Sequence, residues 1–325
     1  MPRYIALNQP EQESATVKPR RAPFHARDVF SLLKEAGSNW VDHEAMRLSA
    51  ALAYYAVFSL APLFIISISI AGIIFGEDAA RGQITNQLSA YVGTQASDAI
   101  QSLVKSASSK TSGIWATIIG LVVLLFGASS VFGELKSALN IVWGVVAKPG
   151  RPILNLLLGR LFSFSMVLVI GFLLLASLLV STALTAASKH LSVWIPATAG
   201  HWHWIDLSIS LVVITVLFAL IFKLLPNVIV AWRDVIIGAL VTSILFTLGK
   251  TLIGFYLGSS SVASTFGAAG SLIVILLWIY YSTCILFFGA EFTRAFACHF
   301  DRGVVPDRWS ELAPGAAKCE REPAS

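Results

Sequence analysis

The chain has 325 residues, of which 56% are hydrophobic and only 13% charged, and its mean hydropathy is +0.75. Soluble globular domains carry about 25% charged residues, so this composition excludes an ordinary soluble enzyme and fits an integral membrane protein. The net charge of +5 would suit a nucleic-acid partner, but in a membrane chain surplus Lys and Arg mark cytoplasmic loops instead, and no nucleic acid is expected.

Residues 1–27 hold four prolines and mixed charge, which reads as a disordered cytoplasmic tail. No signal peptide is expected, because the first long apolar run begins only near Leu48. Val29, Phe30, Leu32, Leu33 and Trp40 then predict a short amphipathic helix lying in the membrane interface.

Six apolar runs follow, at about 49–75, 113–133, 161–184, 207–225, 235–257 and 270–292. Each is near or above the roughly 20 residues that cross a bilayer as a helix, the fourth only with Lys223 snorkelling. Pro62 lies within the first run and Pro226 at the end of the fourth, as candidate helix kinks. Between the first two runs, Ile84, Leu88 and Tyr91, then Ile100, Leu103 and Val104, suggest surface helices. Past the second run, Leu135, Leu139, Val142 and Val146 keep one stripe until Pro149 and Gly150 end it. The His/Trp loop at 201–204 fits an interfacial aromatic belt better than a metal site. After Arg294 the chain turns polar, and 297–325 reads as a second cytoplasmic tail.

The predicted fold is therefore all-α: a polytopic bundle of six transmembrane helices, residues 28–296, with short interfacial helices. Six spans leave both termini on one side, and 17 of the 23 Lys and Arg residues fall on that side, which makes it the cytoplasm.

Ionisable groups inside apolar spans are costly and mark candidate sites. Lys250, some 16 residues beyond Asp234, reads two ways: a snorkelling lysine, or a cationic site for an anionic small molecule or lipid headgroup. Glu291 is expected to pair with Arg294 at i, i+3 near the cytoplasmic edge. Arg47, Glu134 and Lys136 would cluster at the cytoplasmic mouth, to gate or to anchor, and Asn140 is placed to bond a neighbouring helix. Gly254 and Gly258 form a GxxxG match that suggests close packing or a homo-oligomer. The cysteines Cys284, Cys298 and Cys319 have no CxxC spacing and read as ordinary thiols, and no metal or cofactor site is expected.

Several segments in their order resemble the YihY/BrkB family of bacterial inner-membrane proteins. They are RLSAALAYYAVFSLAPLF at 47–64, LKSALNIVW at 135–143, KLLPN at 223–227 followed by WRDVIIGAL at 232–240, LGK at 248–250, LLWIY at 276–280 and GAE at 289–291. The link at 264–267 reads STFG, where the family more often has Tyr-Gly. The resemblance implies six transmembrane helices in the plasma membrane and settles no activity. A ribonuclease label attached to this family finds no support in the residues, because the acidic side chains are scattered and make no metal or acid/base cluster. P-loop and Rossmann signatures are absent too. The expectation is a non-enzymatic transporter or lipid-handling protein without its own ATPase. The alternative is a non-transporting scaffold for envelope assembly.

Overall fold

The computed structural model describes residues 26–58, 97–98, 101, 127, 130–148, 201–259, 270–300, 303–308 and 310–314. These are mostly helical. In chain order they form α1 (Ala26–Asp42), α2 (Ala45–Phe58), α3 (130–142), β1 (Val145–Ala147), α4 (His201–Leu224), β2 (Val228–Ile229), α5 (Trp232–Ser259), α6 (Gly270–His299), β3 (Val305–Pro306) and β4 (Ser310–Leu312). Of the tail read over 1–27, residues 1–25 lie outside the described residues and the last two open α1; the run at 161–184, Pro62 and most of the runs at 49–75 and 113–133 lie outside them as well.

Helices α5 and α6 contain the segments Trp232–Tyr256 and Leu272–His299, each long and apolar enough to cross a membrane. They pack as an antiparallel hairpin, and small residues set how close they come. A methyl group added to Gly238 would lie 2.8 Å from Cβ of Thr293, and one added to Gly289 would lie 2.8 Å from Cβ of Thr242. Each threonine hydroxyl also donates to a carbonyl one turn back, Thr242 to Gly238 and Thr293 to Gly289, both at 2.7 Å. The hydroxyls are thereby satisfied without water, as an apolar environment requires. Further along, Tyr281 and Ile285 fill the notch at Gly249. Helix α4 packs on the other flank of α5, where the Thr215 and Ser243 hydroxyls meet at 2.8 Å.

Helix α1, which the sequence places in the membrane interface, docks its face of Leu32 and Ala36 on α6 against Phe292, Ala295 and Phe296. The Trp40 indole donates to the Cys284 carbonyl at 3.1 Å, which ties the end of α1 to α6. The reason is that Leu32 and Ala36 lie one turn apart, so they share a face that a partner helix can bury. A second cluster joins Leu48 and Leu52 of α2, Leu139 and Val142 of α3, Phe222 of α4, Val235 of α5 and Phe287 of α6.

The segment after α6 is not a solvated tail over its described part. Residues 303–308 and 310–314 turn back and pair with two short strands, β4 antiparallel to β1 and β3 antiparallel to β2. Gly303, at φ 60°, supplies the left-handed turn that starts this return. Backbone groups left open after α3 and α4 acquire partners there, which is why a sequence without strand-length alternation still pairs. Of the cysteines, Cys284 is a free thiol and Cys298 is disulfide-bonded, a bond that the spacing in the sequence does not announce.

Candidate functional site

Polar groups collect at the end of the α5–α6 hairpin where Trp232 and His299 lie. At its centre is Asn227, in the turn after α4. Pro226 stops α4 rather than kinking it: the helix ends at Leu224, and the turn carries Asn227 outward. The Asn227 N–H donates to Oδ1 of Asn140 at 2.8 Å, while its carbonyl accepts from the Asp307 N–H at 3.0 Å and the Ser310 hydroxyl at 2.6 Å. Two distant segments, α3 and the return after α6, are thus tied to one residue. Asn140 does bond beyond its own helix, to this turn rather than to a neighbouring helix. Lys223 donates to the Val230 carbonyl and lies 5.5 Å from the Trp232 ring centroid, so it staples the α4–α5 turn instead of reaching freely to the headgroups.

Beside this turn is a cavity of about 220 Å³ lined by Trp143, Val228, Val230, Asp234, Ala297 and Val304, among others. Asp234 is 1% exposed and stands in the first turn of α5, where a carboxylate complements the helix dipole. Trp143 is also 1% exposed, and its indole N–H has no acceptor among the described residues.

The second polar feature is Glu291. It was expected to pair with Arg294, but its Oε1 instead lies 2.6 Å from Nδ1 of His43, across 248 positions of sequence. Glu291 is wholly buried, His43 is 26% exposed, and the other carboxylate oxygen, Oε2, has no hydrogen-bond partner among the described residues. Arg294 and Asp42 remain within electrostatic range. The pairing follows from how α1 docks, since the α1–α2 turn then falls over Glu291. Glu44, in that turn, adopts φ 52°, a left-handed conformation that costs a non-glycine residue about 1 kcal/mol. Backbone strain of this kind persists where surrounding structure over-determines it.

The other predicted residues do not join this centre. Arg47 is exposed and pairs with Glu44 one turn away. Glu134 is half-buried on α3. Lys136, on the same helix, faces Asp307, and burial depresses its ammonium below the usual lysine range while that carboxylate partly restores it. Lys250 is half-buried on α5 and engaged with a neighbouring group. From the register of the hairpin, it stands about 15 Å along the axis from Glu291. Among the described residues, no group of three or more His, Cys, Asp or Glu side chains is placed to hold a metal ion. His43, Trp143 and Asp234 were not singled out from sequence. Only Asp234, a carboxylate opening a long apolar run, left a local signal.

A solvent-facing stripe runs along α5 through Trp232, Ile236, Leu240, Ile244, Leu248 and Leu252, all more than 40% exposed. Such a stripe at four-residue spacing would be an aggregation liability in water and is ordinary against acyl chains.

Comparison with known proteins agrees with the last point. The chain is 28% identical over 253 residues to a UPF0761 membrane protein of Chromobacterium violaceum, covering 77% of this chain and 58% of that one. It is 26% identical over 269 residues to a UPF0761 membrane protein of Pseudomonas paraeruginosa, covering 82% of this chain and 62% of that one. The chain therefore spans about three fifths of the length of these relatives. A Bacillus subtilis protein, YfkH, whose name carries only a provisional ribonuclease-like label, is 25% identical over 276 residues, or 81% of this chain and 94% of that one. No solved structure matches the chain. The family model described as Virulence factor BrkB matches residues 36–311, and the chain belongs to that family of bacterial membrane proteins.

Proposed function

We propose that this chain is a transporter or lipid-handling protein of the bacterial inner membrane, without an ATPase of its own. In this reading six helices cross the bilayer, both termini face the cytoplasm, and the polar end of the α5–α6 hairpin is the cytoplasmic end. The substrate is an anionic small molecule or a lipid headgroup. The observation that carries the reading is Glu291, a carboxylate with no exposure inside an apolar segment of 28 residues. Ionisable groups so placed face bundle interiors or water-filled paths and serve ion or substrate movement. Lys250, half-buried about 15 Å away along the hairpin, supplies the cation for an anionic headgroup.

The experiment is reconstitution of the full chain in liposomes that contain a fluorescently labelled anionic phospholipid, scored by loss of signal to a membrane-impermeant quencher. Lipid movement faster than in protein-free liposomes, lost in Lys250→Ala, is the expected result. Rates equal to those of protein-free liposomes, together with a cysteine at position 250 that no aqueous reagent labels, would leave the scaffold reading in its place.

A further inference from the structure

The His43–Glu291 pair is asymmetric in a way that a structural clamp does not need. The imidazole is 26% exposed, whereas the carboxylate is not exposed at all. Nδ1 and Oε1 are 2.6 Å apart, within the range for direct proton transfer. Oε2 of Glu291 is buried with no hydrogen-bond partner among the described residues, and a carboxylate so placed is costly to keep charged away from water. The titratable and charged groups acting on it are His43 from the α1–α2 turn, Asp42 at the end of α1 and Arg294 from its own helix. On the α5 side the neighbouring cluster receives Ile237 and Val241, which carry no charge, and Lys34 and Glu35 of α1 are exposed.

We propose that His43 and Glu291 form a proton-loading site, in which the exposed imidazole passes a proton from water to the buried carboxylate. The step balances without a co-reactant. Neutral His43 with its proton on Nδ1 takes a proton from water at Nε2. The Nδ1–H bond then breaks as the Oε1–H bond forms. The imidazole is left neutral as the other tautomer, and Glu291 becomes a neutral acid. The net change is one proton moved from bulk water to a group inside the helix bundle, with the local charge raised by one. In the transport reading above, on which only this last assignment rests, that proton is the coupling ion and stands in for the missing ATPase.

The test follows the carboxyl directly. The full-length chain in lipid nanodiscs is subjected to a pH jump while infrared spectra record the protonated-carboxyl stretch. One band is expected to grow on acidification in the wild type and to be absent in Glu291→Gln. In His43→Gln, which keeps a donor for Oε1 but has no second ring nitrogen, the band should appear about a hundredfold more slowly. Free imidazole added to the buffer should restore much of that rate, which a merely structural role of His43 would not allow. No band assignable to Glu291, or an unchanged rate in His43→Gln, overturns the proposal. These outcomes are independent of whether lipid moves in liposomes, so the two readings fail separately.

Discussion

Thr293 of α6 fills the notch at Gly238 of α5, and one helical turn away the relation is reversed, with Thr242 of α5 filling the notch at Gly289 of α6. The two Gly–Thr pairs interlock like a clasp. In a bilayer, helices gain little from hiding apolar surface, so close packing of small residues is what holds such a hairpin together.

Gly238→Ala should therefore push the helices apart and lower stability by about 1–3 kcal/mol, since the new methyl meets a side chain held by its own hydrogen bond. Thermal unfolding of the detergent-solubilised protein measures this. Gly254→Ala is the control: a Cβ there meets nothing within 4 Å, and the change should stay within about 0.5 kcal/mol. An equal loss at both positions would show that helix propensity is not the issue and that the clasp is not special.

Asn140 holds the α4–α5 turn through a single acceptor. Asn140→Leu leaves the half-buried Asn227 N–H without a partner and should cost about 1–3 kcal/mol. Asn140→Asp keeps the acceptor oxygen and should lose much less. Comparison of the two melting temperatures checks the assignment, and equal losses would refute it.

Lys136 gives the protein a pH dependence of a particular sign. Its folded pKa is depressed below the ordinary value of 10.5, chiefly by burial, with Asp307 acting in the opposite direction. Between the two pKa values the unfolded chain binds more protons, so stability rises as pH climbs through the folded pKa toward 10.5. Relative to Lys136→Met, the wild type should gain melting temperature with rising alkaline pH. Asp307→Asn should enlarge that gain by removing the charge that favours the ammonium.

Ending the chain at residue 302 should be harmful although the lost segment looks like a polar tail. It would strip β3 and β4 from β2 and β1 and uncover Val145 and Val228, now 3% and 6% exposed. At about 1.5–3 kcal/mol for each buried valine, the loss should be about 3 kcal/mol or more. Urea unfolding of the truncated and full chains, followed by Trp fluorescence, provides the measurement.

What the sequence determined by itself was local. The runs at 235–257 and 270–292, each with a single charged residue (Lys250 and Glu291), are long and apolar enough to dictate helices, because the backbone in an apolar phase must bond within its own segment. The order of the short motifs placed the chain in its family, whereas Pro226, a candidate kink in the sequence, proves in the structure to lie just past the end of α4. Asn140 was legible as a polar group on an apolar stripe, which needs an acceptor's partner somewhere nearby. What only the tertiary structure decided was which groups meet. Arg294 is the obvious partner of Glu291 at i, i+3, yet docking of α1 delivers His43 from 248 positions away to bond the carboxylate, with Arg294 left only within electrostatic range. The Gly–Thr clasp depends on antiparallel register, and the strands after α6 exist because α3 and α4 leave backbone groups open beside them. Periodicity records what one helix can bury, but a buried carboxylate takes its partner from whatever the packing brings to it.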